Sequence, residues 1–474
     1  MPAKIYYYDI GDYLSREEKL KIVSEYQSFD ALPLTQLQPN EHGDWISQRN
    51  DAFSQFIPLE PEKKLDAKTQ SFFVANVIGV STCRDAWVYS FSQQKVTENM
   101  QRMIDFYNKQ ANGYKKAIEK NPNLSIEDYM DTDETKISWT RALRNDAKKY
   151  INHSFDKTKF YKGVHRPFTK QQLYYHKQFI ESPGLWTQFF STPNIENLVI
   201  CLEGTGSSKN FGCLITDTIP DYSFAGIHTQ CFPLYYYEEN QSRQRTIFDT
   251  KTGDDYIRRD AVSDFILDRA RKQYGKNVTK EDIFYYVYGF LHSPEYRETF
   301  SADLKKMLPR LPLVDEPKVF WQFSKAGRQL AQLHLNYETV GAYKGVMVLY
   351  EPLSITDALR QVSKTEMEYL NYRVEKMRFP KKDQKDTIIY NGQIMVKNIP
   401  AKAYQYIVNG KSAIEWIMER YAVTVHKDSG IKNDPNDWAK EHDDPKYILN
   451  LLMSVINVSA QTVEIVETLP KVVF

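Results

Sequence analysis

Several residue groupings in this sequence approach known chemistry and then lack a part of it. Asn409-Gly410-Lys411-Ser412 has the ending of a phosphate-binding loop, whose backbone amides wrap a phosphate that the lysine also reaches. That loop needs an earlier glycine where Gln405 stands, so the residues read instead as a loop leading into a helix over 413–421. Gly204-x-Gly206 follows a strand, as a cofactor loop would, but a second strand comes next and offers no helix N-terminus to an anion. Asp434-Pro435-Asn436-Asp437-Trp438 is close to the Asn-Pro-Pro-Tyr loop in which amino-methyltransferases hold a flipped adenine. It lacks the second proline, its surroundings are acidic, and it reads as a surface turn. Pro220-Asp221 could open a nuclease motif, but no Glu-x-Lys follows at a workable distance, and Glu316-x-Lys318 is remote and holds Pro317. The four cysteines (Cys83, Cys201, Cys213, Cys231) form no C-x-x-C pair and no zinc spacing with the nine histidines. They suit buried residues of a reducing compartment. No Ser/His/Asp or Cys/His set stands out.

One grouping is informative. Tyr161-Lys162-Gly163-Val164-His165-Arg166-Pro167-Phe168-Thr169-Lys170, followed by Gln172-Leu173-Tyr174-Tyr175-His176-Lys177, interleaves cations with aromatic rings. Lysine and arginine neutralise phosphates, and arginine also reads a guanine edge with two parallel hydrogen bonds. By itself the stretch reads equally as a solvated strand edge packed with aromatics.

The elements that must position such residues can be sketched from periodicity. Lys4–Ile10 is a strand candidate, and Ser15 caps a helix with Glu18 at its third position. Residues from about 31 to 70 hold Pro33, Pro39, Pro58 and Pro61 and read as a connection. Val88–Phe91 alternates like a strand, and 96–120 reads as helix. From about 136 to 236 the pattern is mostly strand, with Leu198–Leu202 and Phe211–Ile215 flanking a polar hairpin tip, 204–210. The helical signal peaks over 279–308, where Thr279 caps, Asp282 sits third, and Ser293-Pro294 opens a second helix. Its aromatics follow a buried stripe. Asn391-Gly392 predicts a two-residue type I′ hairpin between Ile388–Tyr390 and Gln393–Val396. A last helix runs from Asp444-Pro445 through Ile448, Leu451, Leu452 and Val455.

Composition bounds the function. A chain of 474 residues implies about two or three packed units. With 62 basic and 61 acidic residues the net charge is +1, which argues against a purely electrostatic binder. The 33 tyrosines suit either a binding surface or half-buried strand positions. No signal peptide opens the chain and no uninterrupted apolar run reaches the ~18 residues of a membrane span, so it reads as cytoplasmic.

Arg166-Pro167-Phe168 followed by Leu173-Tyr174-Tyr175 resembles a block of the C-terminal specificity region of type ISP restriction–modification enzymes. Those single chains join a nuclease, a helicase-like ATPase, an adenine methyltransferase and a target-recognition domain. Seven further blocks are similar and in the same order. They begin with Tyr8-Asp9-Ile10-Gly11-Asp12-Tyr13-Leu14 plus Arg16–Leu20, Asp44-Trp45 plus Arg49-Asn50-Asp51-Ala52-Phe53, and Arg84-Asp85-Ala86-Trp87-Val88-Tyr89. Gln230–Tyr235, Phe284–His292, Leu333–Glu338 and Gly410–Trp416 follow.

The resemblance implies an α+β fold, with a mixed-sheet DNA-recognition domain and a helical C-terminal region. It divides the chain into 1–30 (tail of a methyltransferase-like domain), 31–70 (connecting segment), 71–270 (α/β target-recognition domain) and 271–474 (helical region with a β-hairpin near 387–397). It implies DNA target recognition that directs adenine N6 methylation and restriction carried out elsewhere. Duplex DNA and the methyltransferase and helicase/nuclease domains would be the partners. S-adenosylmethionine, ATP and Mg would serve the full system, with no cofactor, metal or catalytic residue in this chain. Candidate DNA contacts are Lys162, Arg166, Lys170 and Lys177, with Lys209 and Asn210 at the hairpin tip. Arg141, Arg144, Lys148 and Lys149 could line the same face, as could Arg378, Lys381 and Lys382 beside Pro380. Taken singly, each is accounted for by an ordinary solvated charge. A diverged methyltransferase active on its own, and an interaction subunit that does not touch DNA, stay open as alternatives.

Overall fold

In the computed structural model the strands Val199–Leu202 and Cys213–Thr216 are buried at every position, because both faces of their sheet are covered. The described residues are 4–11, 14–41, 43–46, 48–66, 68–207, 209–241, 255–351 and 363–474. Asp12, Tyr13 and Ser208, which the sequence reading placed in a block and at the hairpin tip, lie outside them. The two strands pair antiparallel with Leu202 opposite Cys213, and Gln230–Pro233 and Val77–Ile78 complete a four-stranded sheet. Side chains alternate across a strand. Val199, Cys201, Leu214 and Cys231 therefore enter one core, while Ile200, Leu202, Cys213, Ile215 and Phe232 enter another.

The first core joins this sheet to a second, ordered Ile219–Pro220, Phe160–Val164, Lys170–Tyr174, Tyr89–Ser90. It includes the helices Gln93–Lys120, capped by Ser92, and Tyr447–Glu467. Scored by mean hydropathy rather than by an unbroken apolar run, Tyr447–Glu467 is long and apolar enough to cross a membrane, yet 67% of its most apolar 18 residues are buried in the protein. Its apolar surface is accounted for by core packing.

The second core is helical. Lys280–Phe290 starts at the expected capping box of Thr279 and Asp282, and Pro294–Thr299 starts at Ser293. The aromatic run Phe284–Phe290 is wholly buried, as core rather than site. Lys280–Phe290 crosses Pro317–Leu335 where Gly289 and Gly327 face each other; a Cβ on Gly327 would stand 2.9 Å from the Gly289 nitrogen. Tyr288 donates to His334 Nδ1 at 2.5 Å, so the His334 proton sits on Nε2, which faces Thr462 Oγ1 at 2.9 Å. His292 Nδ1 donates to the Tyr288 carbonyl at 2.8 Å.

These features give the α+β class expected. Four local readings change, one of them the surface turn read at 434–438, where Asp434, Pro435 and Asn436 are buried and a short helix, Asn436–Glu441, begins. Arg141–Lys148 is a helix inside the stretch read as strand, with Thr140 as its cap. Asp85–Val88 is a short helix, leaving only Tyr89–Ser90 extended. The hairpin after Ile388–Ile389 pairs Ile389 with Met395, so the type I′ register is not adopted, and neither Asn391 nor Gly392 has a positive φ. Asn391 instead spends its side chain on the amides of Gln393 and Ile394 and on the carbonyls of Asn371 and Arg373. The type I′ geometry occurs at a different Asn-Gly pair. Asn409 (φ 49°) and Gly410 (φ 78°) join Ile407–Val408 to Lys411–Ser412, and Ser412 then caps Ala413–Arg420.

The chain divides into two compact units, Met1–Asp51 and Ala52–Phe474. In the first, Ile5–Tyr7 pairs antiparallel with Thr35–Leu37, and Arg16–Glu25 opens on the capping box of Ser15 and Glu18. That helix buries none of its residues, and Leu20, Val23 and Phe29 are exposed.

Candidate nucleic-acid interface

The turn between Phe160–Val164 and Lys170–Tyr174 passes through Arg166 and Phe168, both left-handed (φ 77° and 57°). A non-glycine residue there costs roughly 1–2 kcal/mol, so neighbours must hold it. Asp221 does so. Its carboxylate, 2% exposed, accepts from the Arg166 backbone N–H at 2.8 Å, from the Arg166 guanidinium, and from the Ser223 N–H at 3.1 Å. Phe168 drops into the first core, edge-on to Tyr337 and Tyr406. Lys170 reaches Glu338 at 3.1 Å and lies over the Tyr337 ring, while Tyr447 donates to Glu338 at 2.7 Å.

Asp85 lies behind the same turn. His165 Nε2 donates to its carboxylate at 3.1 Å, and Arg420 donates to His165 Nδ1 at 3.0 Å, which leaves the imidazole neutral. Burial holds the His165 pKa down at about 4, with the Arg420 and Arg166 charges acting the same way against the pull of Asp85. Desolvation works against ionised Asp85, but hydrogen bonds from His165 and Thr82 and the Arg166 charge outweigh it and keep its pKa well below the usual range. Arg420 is lowered by burial first and then by Arg166.

Three buried neutral histidines give a pH prediction. His165 is held at about 4, His334 at about 3, and burial depresses His292 strongly as well. Their unfolded value is about 6.5, so between the two values the unfolded chain binds more protons than the folded one. Stability is complete above about pH 6.5 and falls as pH drops toward 4, by up to about 1.4 kcal/mol per unit for each histidine. Urea midpoints at pH 7 and pH 5 check this. Equal midpoints would mean that these rings are solvated.

Asp85, His165, Arg166, Gln171, Asp221 and Arg420 line one cleft of ≈ 860 Å³, to which the hairpin after Arg420 adds Lys427 and Lys432. Five buried donor atoms on this lining, Arg84 Nε and Nη2, Tyr89 Oη, Gln171 Nε2 and Arg420 Nε, have no hydrogen-bond partner among the described residues, against one such acceptor, Asn433 Oδ1. Unmatched buried donors are costly, so the cleft is suited to a ligand rich in acceptors.

The sequence-predicted contacts scatter. Arg166 alone reaches this cleft, with its charge already taken by Asp221. Lys170 is spent on Glu338, and Lys148 on Glu127 at 2.9 Å. Arg144 is half-buried, with its Nε unpartnered. Lys209 donates to both oxygens of Asn409, and with Asn210 it lines a different pocket. Seven remain exposed without an ion-pair partner among the described residues: Arg141, Lys149, Lys162, Lys177, Arg378, Lys381 and Lys382. Arg141 and Lys149 stand at the two ends of one helix, Arg378, Lys381 and Lys382 share one loop, and Lys162 and Lys177 stand on other elements. Sequence reasoning missed Arg420, Lys427 and Gln171. Only the place of Arg420 at a helix end, where a cation suits the dipole, carried a signal.

The architecture matches that of restriction–modification enzymes over 99% of this chain. A nuclease-deletion mutant of the Type ISP enzyme LlaGI, in complex with a DNA substrate mimic, is 37% identical with a TM-score of 0.79. The ATP-dependent Type ISP enzyme LlaBIII, bound to DNA, is 36% identical at 0.81, and DrdV in its DNA complex is 26% identical at 0.79. The Type ISP C-terminal specificity domain model matches residues 71–451, and the chain belongs to that family. It spans 39%, 28% and 44% of the three solved chains respectively. No curated protein matches it.

Proposed function

We propose that this chain recognises a DNA target site for a restriction–modification enzyme. The observation that carries this reading is the match, over 99% of the chain, to two Type ISP enzymes solved with DNA or a DNA mimic. In this reading the seven exposed cations set the register on phosphates, and the donors of the Arg420 cleft meet base or phosphate acceptors. Arg166, Lys170, Lys148 and Arg144 hold the surface that presents them, and Lys209 and Asn210 belong to a second pocket. Residues 1–30 would belong to a methyltransferase domain, joined through 31–70 to the recognition domain 71–270 and the helical region 271–474. Adenine methylation, with S-adenosylmethionine, and restriction, with ATP and Mg, would be the work of methyltransferase and helicase/nuclease domains in the cytoplasm.

The test is retention of random duplexes at two salt concentrations, with sequencing of the retained pool. Enrichment of one asymmetric motif that weakens with salt is expected; no retention at low salt overturns the reading. Replacing Arg378, Lys381 and Lys382 together by Ala should lower the salt slope by about 0.9 for each phosphate no longer neutralised, without changing the enriched motif. An unchanged slope removes that loop from the interface.

A further inference from the structure

The pocket lined by Lys209 and Asn210, ≈ 680 Å³, holds two orphaned polar atoms in an otherwise mainly apolar wall. Glu203, 4% exposed, follows the strand Val199–Leu202; its carboxyl interacts with Ser207, but its Oε1 has no hydrogen-bond partner among the described residues. Tyr406, 7% exposed, stacks on His334 at 5.2 Å, and its hydroxyl has none either. A buried carboxylate oxygen calls for an N–H donor, and a buried phenol for an acceptor. Cations line the same pocket. Arg297 lies 5.7 Å over the Phe211 ring, and Lys209 is held on Asn409 Oδ1 at 2.7 Å. Neutral His292 lines it too.

A donor, an acceptor, a flat apolar body and an anionic end describe an amino-bearing nucleobase with its phosphate. We propose that this pocket binds such a nucleotide, with Glu203 accepting from the exocyclic amine, Tyr406 donating to a ring acceptor, and Arg297 and Lys209 facing the phosphate. Its size lies in the range of small-molecule sites. The same chemistry could be supplied by a free mononucleotide or by a base of a DNA strand.

Equilibrium binding of labelled AMP, CMP and dTMP to the full chain tests this, with single-stranded DNA as a second arm. AMP or CMP should bind at least about tenfold more tightly than dTMP, which lacks an exocyclic amine. Glu203→Gln and Tyr406→Phe should each weaken that binding about tenfold at unchanged melting temperature. Binding by single-stranded DNA alone, weakened by both variants, would assign the base to the strand. Absence of binding in both arms up to about 1 mM, or binding indifferent to both variants, overturns the proposal.

Discussion

Gly327→Ala is expected to destabilise the protein by about 3 kcal/mol or more, although alanine is the better helix former by about 1 kcal/mol. The reason lies in what the added methyl would meet. A Cβ on Gly327 would stand 1.9 Å from the Tyr285 carbonyl oxygen, and one on Gly289 would stand 2.2 Å from that of Phe323. Both obstacles are helix backbone, which cannot turn aside as a side chain can. The helices would have to separate, and Phe290 and Phe323, stacked obliquely at 4.9 Å in the second core, would separate with them. Gly113→Ala is the matched control. Its Cβ would meet only the hydroxyl end of Tyr129, which can rotate away, so that variant should be neutral or gain up to about 1 kcal/mol. Denaturant midpoints of the two variants decide the matter. A Gly327→Ala protein as stable as its parent would mean that the helices do not cross at this point.

Asp221→Ala should cost about 3 kcal/mol, the low end for breaking a buried ion pair, because Arg166 is partly solvated. The effect would combine an unpaired guanidinium, two amides left without an acceptor, and a left-handed Arg166 no longer tethered. Arg166→Ala should also lower stability, though less, since the carboxyl left behind can take up a proton. Melting and DNA retention measured together separate structure from recognition. If Arg166→Ala keeps the parent melting temperature and abolishes retention, Arg166 is a reader and not a clamp.

The family blocks in the sequence largely meet one another in the interior. Phe168 packs on Tyr337, Lys170 pairs with Glu338, and Tyr288 donates to His334. That is why the fold and family could be recognised while the DNA-facing residues could not. An exposed lysine is set by no neighbour and leaves no pattern along the chain.

What the sequence alone determined is local. The helix starts at Ser15, Thr279 and Ser293 were legible because a cap is satisfied within three residues of itself. The buried strands around Cys201 and Leu214 were legible as short apolar runs. The tertiary structure decided everything that depends on residues far apart. Asp221 is 55 positions from Arg166, and Arg420 is 255 from His165. Three Asn-Gly pairs look alike in sequence, but Asn112-Gly113 lies inside the helix Gln93–Lys120, at 391 the nearby carbonyls of Asn371 and Arg373 claim the asparagine, and only at 409–410 is the backbone left to turn with positive φ. Local preferences amount to about 1 kcal/mol, and a buried partner brought in from elsewhere in the chain outweighs them.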